Sequence, residues 1–281
     1  MTSQFKTALL LAMLTGIILV LGQVMGGSTG LVIAFVLALV MNVGSYWYSD
    51  KIVLRIYKAR ALSATEAPML HTMVEELAAN AGIPTPRLYL VPDEAPNAFA
   101  TGRNPQHAVV AVTEGIVRLL SPDELRGVIA HEIGHILNRD ILVQSVAGVL
   151  ASVIVTVANI MQFTAIFGGF RSDAEEGGSP IAALLLAFLA PVAASLIQFA
   201  ISRSREFQAD ATGARLCGRP LALASALGKL TAYSKKIPMH EGNPSTAHMF
   251  IVNPFSGKKM ASLFSTHPPV EERIARLQAM A

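Results

Sequence analysis

The sequence predicts a mainly α-helical integral membrane protein with a small β-sheet, in which two hydrophobic helical hairpins interrupt polar regions facing the cytoplasm. Three observations carry this. Apolar residues make up 52% of the 281 residues and charged residues only 15%, too greasy for an ordinary soluble enzyme. Four stretches, 7–25, 30–48, 141–170 and 180–201, contain no charged residue. The polar regions between them carry short alternating and amphipathic patterns that read as strands and helices. The chain thus divides into an N-terminal transmembrane hairpin (1–49), a first polar part (50–140), a second hydrophobic hairpin (141–201) and a second polar part (202–281).

Stretches 7–25 and 30–48 are each about long enough to cross a hydrocarbon core, which takes about 20 residues. The "GGST" between them reads as a tight turn, and Tyr46, Trp47 and Tyr48 as an interfacial aromatic belt where the second helix leaves the bilayer. Lys6 before an apolar run also suits a signal peptide. No A-x-A site follows, however, and a second run comes at once, so the pair reads as an anchor. The third and fourth stretches are richer in Gly, Ser, Thr, Asn and Gln, which suits close helix packing. They read as a second membrane hairpin, with a buried soluble hairpin as the alternative. Orientation follows the basic residues. Lys6, Lys51, Arg55, Lys58, Arg60, Arg203 and Arg205 flank the segments on one side, while the loop "RSDAEEGGSP" carries three acids. Both termini and both polar regions are therefore expected in the cytoplasm.

In the first polar region, residues 67–81 show helical periodicity ending at Gly82, a C-cap candidate. "PRLYLVP" reads as a strand, and "AVVAVTEGIVRLL" as a strand turning into a helix. Ser121, Pro122 and Glu124 form a helix start with a capping box. A net charge of +3, no Lys/Arg-rich run and no aromatic platform argue against nucleic acid as a partner. The single cysteine, Cys217, excludes an internal disulfide framework and reads as a small packed residue.

The helix after the capping box contains His131, Glu132 and His135. Residues four apart share a helix face about 5–6 Å apart, so both imidazoles can reach one Zn²⁺ at about 2.0–2.1 Å. Glu132 is offset from that line and can take a proton from water on the open side of the metal. Gly134 leaves room beside the metal or simply thins the helix. A third ligand six residues after His135 is excluded, because Ile141 stands there. Asp140, Glu175, Glu176, Glu206, Asp210, His240, Glu241, His248, His267, Glu271 and Glu272 remain. Topology removes Glu175 and Glu176. Glu206 fits best, because a membrane hairpin returns the chain beside its point of departure. Asp210, four residues on, is placed to hold a ligand histidine through its second nitrogen. An acidic face among Arg203 and Arg205 is the competing reading. Asp140 orients a helix residue or ends the helix. His71, His107, His240 and His248 read as surface or satisfied core.

"AHEIGHILNRD", "SRSREFQADATGA", "PNAFATGR" and "STHPPVEERIARL" resemble, in residues and order, the M48 family of zinc metallopeptidases. The resemblance implies a gluzincin with a zincin-like catalytic domain and one Zn²⁺ per chain. His131, His135 and Glu206 would be ligands and Glu132 the catalytic base. It implies a bacterial inner-membrane protein with a cytoplasmic active site, removing misfolded or damaged membrane proteins. It also places His267 near the metal as an oxyanion donor, against a plain helix-start histidine before two prolines. Asn97, Ala98 and Phe99 precede an edge strand expected to bind a polypeptide substrate by strand addition, or form a turn-rich loop. A CAAX-prenyl-protease-like peptidase and a non-proteolytic metal-binding membrane scaffold or chaperone are the alternatives. A metal transporter is disfavoured, because His131, His135 and Glu206 sit at or beyond the ends of the apolar segments.

Overall fold

A computed structural model describes residues 3–152, 154, 203–234, 236, 244–252 and 267–281. The later part of the third apolar stretch, the fourth stretch, Glu175, Glu176, His240 and Glu241 lie outside the described residues. The elements are α1 (Ser3–Ile56), β1 (Arg60–Ala61), α2 (Pro68–Ala81), β2 (Arg87–Val91), β3 (Ala98–Thr101), β4 (Val109–Thr113), α3 (Glu114–Leu119) and α4 (Pro122–Leu137). There follow α5 (Ile141–Ser152), α6 (Arg203–Cys217), α7 (Pro220–Ser234) and α8 (Val270–Gln278). The described residues are thus mainly helical, with one small mixed sheet.

α1 contains the first hairpin. It breaks only at Gly26 and Gly27, the latter at φ 56°, a conformation glycine adopts without steric cost. The expected four-residue turn is therefore two residues long. The halves pack closely enough that a Cβ on Gly30 would lie 2.1 Å from the Gly22 carbonyl oxygen. Asn42 Nδ2 donates to Thr15 Oγ1 across the hairpin at 2.8 Å. Gly26–Ile56 is long and apolar enough to cross a membrane, and Val32, Ile33 and Val40 on it are more than 60% exposed. Unpartnered apolar surface of that extent suits lipid rather than water. The first half contains a shorter apolar helix, Phe5–Val20. Its Leu10 and Leu14 are buried against Val143, Val146 and Leu150 of α5.

The strand order is β1-β2-β4-β3, with β2 and β4 parallel and the other pairs antiparallel. All five residues of β4 are buried, because helices and chain cover both faces. Val110 and Val112 face Leu70, Leu77, Ile129 and Ile133 of α2 and α4. Val109 and Ala111 face Val53, Tyr57 and Phe250. α2 ends at Gly82 with φ 65°, in the left-handed C-cap its sequence predicts.

α4 begins as its sequence dictates. Ser121 Oγ accepts the Glu124 amide at 3.4 Å, and Glu124 Oε2 accepts the Ser121 amide at 2.9 Å. Lys229 and Ser225 of α7 reach the same carboxylate at 2.8 and 2.7 Å. α6 lies directly on α4. A Cβ on Gly213 would sit 2.8 Å from the His131 amide nitrogen, and one on Gly134 3.1 Å from the Ala209 carbonyl oxygen. Gly134 thus serves helix packing rather than space beside a metal. Cys217 packs, half-buried, at the end of α6.

Candidate metal centre

His131 and His135 project from one face of α4 toward α6, where Glu206 and Asp210 sit one turn apart. His131, His135 and Glu206 are all buried, and one ligand atom of each lies within 4.8 Å of the others. His135 Nε2 stands 3.4 Å from Glu206 Oε1, and His131 Nε2 stands 4.0 Å from Oε2. Two imidazole nitrogens and one carboxylate around a shared point form a donor set suited to Zn²⁺.

Each donor is held from behind. Asp210 Oδ1 lies 2.9 Å from His131 Nδ1, and Asp140 Oδ2 lies 3.4 Å from His135 Nδ1. Carboxylates on Nδ1 leave Nε2 free for the common point, the arrangement that orients metal-binding histidines. Arg205 Nη1 lies 3.0 Å from Asp140 Oδ1. His267 Nδ1 lies 3.0 Å from Glu206 Oε2. His267 Nε2 is buried and has no hydrogen-bond partner among the described residues.

Arg273 was not singled out from the sequence, yet it ties the centre together. It is fully buried. Nε and Nη2 donate to the two Asp210 oxygens at 2.8 and 2.7 Å, and Nη1 donates to the Ile251 carbonyl at 2.9 Å. Nη1 also lies 3.8 Å from Glu206 Oε2. A legible signal existed. In "VEERIARL" Arg273 falls between Val270 and Leu277 at helical spacing, on the stripe that packs inward. A charge on that stripe must find a partner.

Burial raises the Glu132 carboxyl to about 7, with the neighbouring Glu206 adding to it, against His135 and the Ala100 backbone amide, which lower it. Burial also opposes ionisation of Glu206, but His267, His135 and Arg273 overcome it and hold that carboxyl well below its ordinary value. Burial likewise opposes ionisation of Asp210, and Arg273 outweighs it, leaving the carboxyl at about 2. The two acids nearest the common point therefore differ. One is poised near neutrality and the other is fixed as an anion.

Asn97, Ala98 and Phe99 are placed differently from expectation. Ala98 and Phe99 lie in the edge strand β3 instead of preceding it. Asn97 is buried, and its Nδ2 donates to the Val252 carbonyl at 2.7 Å. The Ala98 carbonyl already accepts the Ile251 amide at 3.3 Å. Phe99 packs edge-on against Phe250, centroids 5.2 Å apart. These three residues are buried against the chain's own 250–252 segment, so their side chains present no open surface to a substrate. His71, His107 and His248 each contact a carbonyl or side-chain oxygen away from the centre.

Residues 64–281 match peptidase family M48. The Protease HtpX homolog of Syntrophobacter fumaroxidans is 58% identical over 282 residues, spanning 100% of both chains. That of Pyrococcus furiosus is 56% identical over 276 residues, spanning 98% of this chain and 95% of the relative. The crystal structure of S. mikatae Ste24p matches 98% of this chain with a TM-score of 0.50 at 22% identity, a likeness of fold. This chain spans 65% of that structure's length. The family match covers α2 through α8 and both helices that supply the buried His–His–Glu cluster, so the chain belongs to peptidase family M48.

Proposed function

We propose that this chain is a zinc-dependent membrane endopeptidase in which His131, His135 and Glu206 hold one Zn²⁺ and Glu132 is the catalytic base. The observation that carries it is the convergence of these three donors beside a buried carboxyl raised to about 7. When bound, zinc supplies Lewis acidity to the scissile carbonyl and the attacking water. Glu132 accepts the proton of that water and returns it to the leaving amine. Burial raises that carboxyl from its ordinary value, which suits a group that both takes and returns a proton. Asp210 and Asp140 hold the two imidazoles by Nδ1. His267 keeps Nδ1 on Glu206, and its unpartnered Nε2 is free to donate to the developing oxyanion. Three protein donors among the described residues leave a position open, which favours catalysis over a structural metal.

The substrates are polypeptides, chiefly misfolded or damaged proteins of the same membrane. The protein sits in the bacterial inner membrane with its active site toward the cytoplasm, as the basic flanks of its apolar segments suggest. A hairpin over 1–49 and a second over 141–201 divide the catalytic parts 50–140 and 202–281. The helix that ends the first hairpin continues to Ile56 and carries the catalytic part directly.

The test is casein cleavage by detergent-purified protein with zinc. Wild type cleaves. Glu132→Gln keeps stoichiometric zinc and does not cleave, while Glu206→Ala binds zinc weakly. Cleavage by Glu132→Gln, or its loss of zinc, sinks the assignment.

A further inference from the structure

A cavity of about 820 Å³ opens between the start of α1, the loop after β3 and the junction of α4 with α5. None of His131, Glu132, His135 or Glu206 lines it. Its wall presents Arg103, Arg139, Asn104, Asn138, Gln208 and Tyr46. Arg205 lines it too, but is engaged by Asp140 at 3.0 Å.

Four observations identify what this wall would bind. Among the described residues neither Arg103 nor Arg139 forms an ion pair, and the one carboxylate on the same wall, Asp140, is taken by Arg205. Arg139 holds a left-handed backbone (φ 58°), where glycine or asparagine ends a helix more easily. An arginine kept at such a cost points to a use for its side chain. Asn138 Nδ2 is buried without a hydrogen-bond partner among the described residues, a donor awaiting an acceptor. Arg103 also lies over the Trp47 ring, 4.8 Å from its centroid, so the cationic wall meets the aromatic level of α1. Tyr46 and Trp47 pack edge-on there, 5.5 Å apart.

The geometry points to a binding site for the phosphate headgroup of an anionic phospholipid, formed by Arg103, Arg139 and Asn138 at the level where α1 meets the membrane surface. Guanidinium forks match phosphate oxygens in pairs, the Asn138 amide supplies a further donor, and the exposed apolar face of α1 provides for acyl chains. The site rests on the reading of α1 as a membrane helix.

Trp47 is the only tryptophan in the chain, and it touches Arg103, so its fluorescence reports the site directly. Full-length protein in neutral detergent is titrated with short-chain phosphatidylglycerol, short-chain phosphatidylcholine and inorganic phosphate. We expect a saturable change with phosphatidylglycerol only. In Arg103→Gln/Arg139→Asn it should weaken about twenty-fivefold, because each surface cation contributes about fivefold. A melting temperature and zinc content equal to wild type in lipid-free detergent show that the double variant is folded. Arg103→Lys should restore part of the binding. Equal responses to phosphatidylglycerol and phosphatidylcholine, or equal responses of wild type and double variant, overturn the site. Inorganic phosphate acting as strongly as the lipid overturns the headgroup assignment in favour of a soluble anion. Binding of an acidic peptide in its place assigns the cavity to substrate and overturns it as well. Flotation of the protein with neutral vesicles tests the membrane reading separately. Failure to float refutes insertion and with it the lipid site, while leaving the metal centre untouched.

Discussion

Replacing Arg273 with Met tests the architecture of the metal centre most sharply. The guanidinium is fully buried and gives three hydrogen bonds, two to Asp210 and one to the Ile251 carbonyl. Methionine fills most of the volume but leaves the Asp210 carboxylate buried without its counter-charge. Removing one member of a buried pair costs about 3–5 kcal/mol. For a chain of this size each kcal/mol lowers the melting temperature by about 2–4 °C, so a drop of about 6–20 °C is expected at fixed scan rate. Asp210 also holds His131, so zinc affinity should fall about 10–100-fold, measured by competition with a chromophoric chelator. Asp210→Asn in the same background discharges the stranded carboxylate. Arg273→Met/Asp210→Asn should therefore melt higher than Arg273→Met alone, although it has lost one more native group. A loss below about 1 kcal/mol in Arg273→Met, or a double variant less stable than the single, refutes the reasoning.

Gly213→Ala should separate α6 from α4, because its methyl group would lie 2.8 Å from the His131 amide nitrogen. Proteolysis should fall at least tenfold with zinc affinity weakened, whereas Gly218→Ala, in a left-handed turn with open space around it, should cost stability alone. Zinc held at a hundred times its Kd should add about 2.7 kcal/mol of stability, and excess chelator should remove it, seen as a melting temperature that follows free zinc. In Glu124, burial opposes ionisation, but hydrogen bonds from Lys229, Ser225 and Ser121 outweigh it and hold the carboxyl at about 2. A carboxyl lowered in the folded state contributes above its ordinary value of 4.5 and loses that contribution as pH falls toward about 2. Wild type should therefore lose more melting temperature between pH 5 and 2 than Glu124→Gln, which keeps the capping box and lacks the charge. Equal acid sensitivity would show the network to be silent.

Much of the centre was legible because its signals are local. The capping box at Ser121 fixes where α4 starts, and the start fixes which face carries His131 and His135. Glu206 followed from the expectation that a hairpin over 141–201 returns the chain beside its exit. What escaped depends on partners distant in sequence. β1 is two residues long and exists because β2 offers an edge. β4 showed alternation, yet both its faces are covered, by α2 and α4 on one side and by Tyr57 and Phe250 on the other. The burial of Asn97 and Phe99 was not legible, because nothing local to them reveals that the 250–252 segment lies against their strand. Arg273 escaped because charged residues on a helix usually mark its wet side.

The donor set also carries a timetable. His131 and His135 leave the ribosome well before Glu206, and the apolar stretches 141–170 and 180–201 are translated between them. Asp210 and its clamp Arg273 come later still. A nascent chain therefore has two of the three candidate ligands until α6 is made, and Asp210 lacks its clamp until α8 is made. The order of synthesis thus puts the last ligand of the candidate site after both hydrophobic stretches, so the donor set closes only once α6 has been made.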